Sequence, residues 1–122
     1  MTTTGLLRLI WLLAVLCVIF ASILPHESGV VRFIDRSRVN DKIQHFSAYA
    51  VLGALPMLER FRCRRPAVVL GLLCALGLVL EFAQLFSPGR RCDWHDVAAD
   101  CLGLIAGVLL LRVLDRFGLV AA

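Results

Sequence analysis

Apolar and polar positions in this chain come in long blocks. Leu6–Leu24 is broken by a charge only at Arg8. Pro66–Leu80 carries no charge, and Cys101–Leu111 is again apolar. A block of about 20 apolar residues matches the hydrocarbon core of a bilayer. The stretch from Asp41 opens polar and turns apolar after His45. The pattern predicts four helices, 6–24, 41–58, 66–86 and 94–114, in one domain spanning 1–122. Pro25 ends the first. Asn40 or Asp41 caps the second, whose last turn tolerates Pro56. Pro66 opens the third at a favoured first position. Ser87-Pro88-Gly89 is a turn, and Asp93 with Asp96 has capping-box spacing at the start of the fourth. The 26–40 loop holds Val30, Val31, Phe33 and Ile34 and suits the membrane surface.

Composition decides the solvent. Of 122 residues 60% are hydrophobic, and the mean hydropathy is +0.85. A soluble domain of this size has too little core for that apolar surface. The expected fold is therefore all-α, an integral membrane four-helix bundle. A cleaved signal peptide is the rival reading of 6–24, but Ile19 occupies a position where cleavage wants a small residue. The net charge of +4 and pI near 9.1 do not indicate nucleic acid, because the basic residues sit in connectors between apolar blocks. Five scattered cysteines (17, 63, 74, 92 and 101) show no metal spacing and read as small hydrophobes. Arg60, Arg62, Arg64 and Arg65 crowd one short link, which sets both termini in the cytoplasm and turns Glu81–Asp100 outward.

That stretch, EFAQLFSPGRRCDWHDVAAD, joins two apolar blocks and concentrates the polar chemistry. At 1.5 Å per residue, Glu81 lies roughly 7–8 Å below the outer end of its helix and His45 roughly 6 Å below the start of its own. Asp100 lies roughly 10 Å below Asp93. Asp93, Asp96, Asp100, Gly103 and Gly107 share one helical face, and the glycines let another helix come close. Asp41, His45 and Tyr49 form a stripe on the second helix, Glu81 and Gln84 on the third. A carboxylate at Glu81 meets both the negative end of a helix dipole and low dielectric, so it needs a partner. His45, Lys42 and Arg90 are the available ones.

Each residue also has a plainer reading. Asp41, Asp93 and Asp96 can cap helices, Arg90 and Arg91 can anchor lipid phosphates, and Tyr49 and Trp94 can be interfacial aromatics. His26 and His95 receive no role. The whole cluster can be a structural polar lock, since intramembrane ionisable groups pair with one another.

The ordered set Asp41-Lys42, His45-Phe46, Glu81 with Gln84, Pro88-Gly89-Arg90, Asp93, Asp96 and Gly103 resembles the VanZ-like family, over about Asn40 to Gly107. The chain departs from that family at Asp100, where Asn is usual. The resemblance implies a small bacterial inner-membrane protein acting on the cell envelope or on tolerance to glycopeptide-type antibiotics. The family's namesake gives low-level teicoplanin resistance, and no settled biochemical activity comes with the family. The expected partner is a membrane lipid or lipid-linked cell-wall precursor. Asp41, Lys42, Gln84, Arg90 and Asp93 would bind it. His45, Glu81, Asp96 and Asp100 would carry any acid–base chemistry. An enzyme modifying a lipid-linked substrate is the alternative to a binding module. Neither a metal nor another cofactor is expected, although Glu81, Asp93, Asp96, Asp100 and His45 offer ligands of the right kind. Nucleic acid is excluded as a partner, and a homo-oligomer is left open. A transporter is disfavoured, because one four-helix protomer without an inverted repeat is small for alternating access.

Overall fold

The computed structural model describes residues 2–25, 27–36, 40–58 and 63–121. His26, Arg38, Arg60 and Arg62 from the connectors lie outside them. The described residues are helical, with no strand among them. The first long helix, α1, runs Thr3–Ile23, with the Thr2 hydroxyl accepting the Gly5 N–H at 3.1 Å. The expected surface loop contains a short helix, α2, Gly29–Arg36. Its amphipathic pattern separates Val31, 3% exposed, from Phe33, 79% exposed.

The second expected helix, 41–58, is shorter than its sequence pattern. The helix α3 spans Asp41–Ala54, capped by the Asn40 side chain, which accepts the Lys42 N–H at 2.9 Å. A 3-10 turn, Leu55–Met57, follows. Pro56 is the cause. It has no N–H for the Leu52 carbonyl four residues back, and its ring crowds that carbonyl. The carbonyl finds its donor elsewhere, in the indole Nε1 of Trp11 on α1 at 2.9 Å. One bond thus repairs the break and ties two helices together.

The helix α4 spans Pro66–Gln84 and α5 spans Trp94–Arg116. The ladder of α4 tightens at its end. Leu85, Phe86 and Ser87 each donate to a carbonyl three residues back, so α4 stops two residues short of the expected 86. Asp93 caps α5, its side chain accepting the His95 N–H at 2.9 Å. The expected reciprocal box with Asp96 does not form, because Asp96 turns to Lys42 and the Asp93 N–H goes to Glu81.

Packing centres on α3 against α5. A Cβ on Gly103 would overlap the Phe46 carbonyl oxygen, and one on Gly107 would overlap the Ala50 carbonyl oxygen. Only glycine permits this approach of two backbones. Tyr49, Leu52, Leu73 and Leu104 form the buried core, flanked by Trp11, Ala14, Val15 and Val18 of α1. The Sγ atoms of Cys74 and Cys101 meet at 3.6 Å between α4 and α5.

Three helices, α1, α4 and α5, are long and apolar enough to cross a membrane, with mean hydropathies of 2.6, 2.2 and 2.2. No residue of α1 is buried within the chain, and leucines such as Leu12, Leu13 and Leu16 stand outward. In water that surface would be a large apolar patch; in lipid it is ordinary. The fold is that of a membrane protein. The α-helical part of α3 is about 21 Å long, against about 30 Å of hydrocarbon, and it is polar at one end.

Candidate functional site

The end of α4, the starts of α3 and α5, and the end of α1 meet at one end of the molecule. They bury Glu81 (1% exposed), Asp100 (2%), Asp96 (4%) and Gln84 (4%). Four polar side chains buried this deeply need partners.

His45 sits at the centre. Its Nδ1 lies 2.9 Å from Asp100 Oδ1, and its Nε2 lies 4.0 Å from Asp96 Oδ2. A carboxylate on Nδ1 fixes the ring orientation and the tautomer, leaving Nε2 for a proton or a metal. Beside it, Lys42 Nζ donates to Asp93 Oδ2 and to Asp96 Oδ1, each at 2.7 Å. The Lys42 ammonium, helped by the His95 backbone N–H, holds the Asp93 carboxyl well below the usual carboxylate range. The exposed His95 ring, given no role by its place in the sequence, also meets Asp93 Oδ1 at 2.9 Å.

The partner expected for Glu81 was a basic side chain. The observed one is the backbone N–H of Asp93, which donates to Glu81 Oε2 at 2.9 Å. Arg90, which also lines the cavity, makes contacts beyond those expected. Its Nε donates to the Leu24 carbonyl at 3.3 Å and its Nη2 to the Ala21 carbonyl at 3.2 Å, so it caps the end of α1. Ser87 adds a bond from its hydroxyl to the Ile23 carbonyl.

These groups surround a cavity of about 150 Å³. Of the nine predicted residues, Asp41, His45, Glu81, Gln84, Arg90 and Asp100 line it. Lys42, Asp93 and Asp96 form an ion cluster beside it that bridges α3 to α5. The lining also includes apolar side chains, Val18 of α1, Val31 and Ile34 of α2, and Leu80 of α4. The part of α2 in this lining is not legible from spacing, which places Val31 and Ile34 only at the membrane surface.

Tyr49 is the second omission. The stripe carries it while its plainer reading is an interfacial aromatic, and in the structure it is 2% exposed and lines the cavity. Its hydroxyl has no hydrogen-bond partner among the described residues. It lies with Asp100 in the space that a side chain at Gly77 would fill. The stripe of 41, 45 and 49 had placed it on the site's face, and that was the signal to follow.

Two chemical capacities result. A carboxylate-oriented imidazole facing a cavity can accept a proton. One ligand atom from each of Asp41, His45 and Asp96 also lies within 4.8 Å of the others, a grouping able to hold a metal ion. The family model described as VanZ/LLP1 matches residues 6–115. No curated protein and no solved structure matches the chain.

Proposed function

Since the chain belongs to the VanZ/LLP1 family and is a membrane protein, we propose that it holds the head group of a membrane lipid or lipid-linked cell-wall precursor. The observation that carries this reading is the mixed lining of the cavity. Polar His45, Glu81, Gln84 and Asp100 share it with apolar Val18, Val31, Ile34 and Leu80. Such a cavity suits a molecule with a polar head and an acyl or prenyl tail. In the bacterial inner membrane, binding of this kind acts on the envelope or on tolerance to glycopeptide-type antibiotics.

The test is mass spectrometry of lipids that copurify with the protein. Ser22 lines the cavity, and Ser22→Phe adds bulk there without changing charge. Wild type is expected to retain a defined head-group class, and a Ser22→Phe protein with the same melting temperature is expected to lose it. Identical lipid complements would sink the reading. The 2.9 Å contact between His45 and Asp100 favours a second reading, in which His45 acts as general base on a lipid-linked substrate and Asp100 orients it. A head group altered in lipid extracts of a deletion strain would support that one instead.

In the proposed topology α3 and its 3-10 turn complete a fourth span, both termini are cytoplasmic, and the cavity opens outward. Cys63 and Cys92 are both half-buried, so labelling differences between them report the side of the membrane. With the other cysteines replaced, a membrane-impermeant thiol reagent is expected to modify Cys92 and spare Cys63. The reverse pattern would turn the site to the cytoplasm.

A further inference from the structure

We propose that Asp41, His45 and Asp96 form a site for a first-row divalent cation, zinc or manganese, at the rim of the cavity. Their ligand atoms lie within 4.8 Å of one another. His45 Nε2 and Asp96 Oδ2, 4.0 Å apart, need to close by less than 1 Å to share an ion, given ligand distances of about 2.0–2.2 Å. Asp41 and His45 are one turn apart on α3, so helix geometry already sets two of the three ligands on one face. Asp96 arrives from the first turn of α5.

Groups outside the ligand set point the same way. Asp100 is 2% exposed and holds His45 through Nδ1. A metal-binding imidazole is held in this manner, its other nitrogen on a carboxylate, which sets the tautomer and raises its basicity. Lys42 holds Asp96 through Oδ1 only, which leaves Oδ2 for the ion. Deeper on the stripe, the buried hydroxyl of Tyr49 has no partner among the described residues and lies beside Asp100 in the same cavity. A buried polar atom of this kind calls for a further polar group in the cavity.

Charge completes the argument. Three carboxyl groups, Glu81, Asp96 and Asp100, are buried here, and the contacts they make with basic side chains are Lys42 on Asp96 and the His45 imidazole on Asp96 and Asp100. Carboxylates exceed cations where the dielectric is low, and a divalent ion offsets the difference. An imidazole with two carboxylates suits zinc or manganese better than magnesium, which prefers oxygen ligands alone. Three protein ligands leave a position open. If the lipid reading also holds, that position can take a head-group phosphate, a role that Lys42, committed to Asp93 and Asp96, does not fill. This last step alone rests on the proposed function.

The test needs no lipid. Protein stripped with a chelator is reloaded with Zn²⁺, Mn²⁺ or Mg²⁺, and metal content and melting temperature are measured. One equivalent of zinc or manganese with a raised melting temperature is expected, and weaker uptake of magnesium. Asp41→Asn, at an exposed position, and His45→Ala are expected to lose the ion. Asp100→Asn is expected to weaken binding by about 10–100-fold. Asp115→Asn, about five turns along α5 from Asp96, keeps it. Wild type without stoichiometric metal, or Asp41→Asn and His45→Ala proteins that load like wild type, would overturn the site. Metal uptake without lipid retention would leave the site standing and remove the lipid reading.

Discussion

Gly107→Leu is expected to yield little or no folded protein. The backbone of α5 passes so close to α3 here that even the first side-chain carbon of a new residue would overlap the Ala50 carbonyl oxygen. That oxygen belongs to a helix backbone and cannot rotate away as a side chain can. Overpacking a core where neighbours can adjust costs about 1–3 kcal/mol. Here the adjustment is separation of the two helices that carry His45 and Asp100, so the loss lies at or above the top of that range. Gly107→Ala is expected to lower the melting temperature as well. Gly71→Ala is the control, because nothing lies within 4 Å of its added carbon on α4. It is expected to be neutral or to stabilise by about 0.5–1 kcal/mol through helix propensity. Thermal unfolding in detergent reads all three. A Gly107→Leu protein melting with wild type would show that α3 and α5 do not pack through this face.

The glycine face was legible in the sequence because its signal is local. Gly103 and Gly107 are four apart, in register with Asp96 and Asp100, and helix geometry alone puts them on one side. The meeting of His45, Glu81 and Asp100 was legible from depth, since each lies a countable rise from its helix end. What spacing does not carry is the rotation of one helix against another, or the identity of backbone partners. Glu81 was matched against basic side chains, and its observed partner is the N–H of Asp93. Arg90, a candidate ligand for an anion, lines the cavity and also donates to carbonyls of α1. The end of α3 was read through Pro56 as a tolerated kink. In the structure the α-helix stops there, because Pro56 has no N–H for the Leu52 carbonyl, which Trp11 satisfies across the bundle instead. Proline apart, backbone groups are the same at every residue, so residue types do not reveal their partners.

Glu81 separates a structural lock from a binding site most cleanly. It is 1% exposed, and its recorded hydrogen bond is to the N–H that precedes α5. That bond sets where α5 begins, and with it the position of Asp93 against Lys42. Glu81→Leu removes the acceptor and leaves the N–H without it, which typically costs about 1–3 kcal/mol. Glu81→Gln keeps a carbonyl oxygen for the same N–H and removes only the charge. If the charge serves structure, by balancing the cations around it, Glu81→Gln should melt as low as Glu81→Leu. Neutralising His45 or Arg90 should then restore part of the loss in a double-mutant cycle. If the charge serves a ligand in the cavity, the two variants diverge. The expected result is divergence: Glu81→Gln melting within about 1 kcal/mol of wild type but purifying without the retained lipid, and Glu81→Leu unstable. The acceptor role needs an oxygen and not a charge, and Asp100 already faces His45. A Glu81→Gln protein as unstable as Glu81→Leu, and rescued by His45→Gln, would make the cluster a lock.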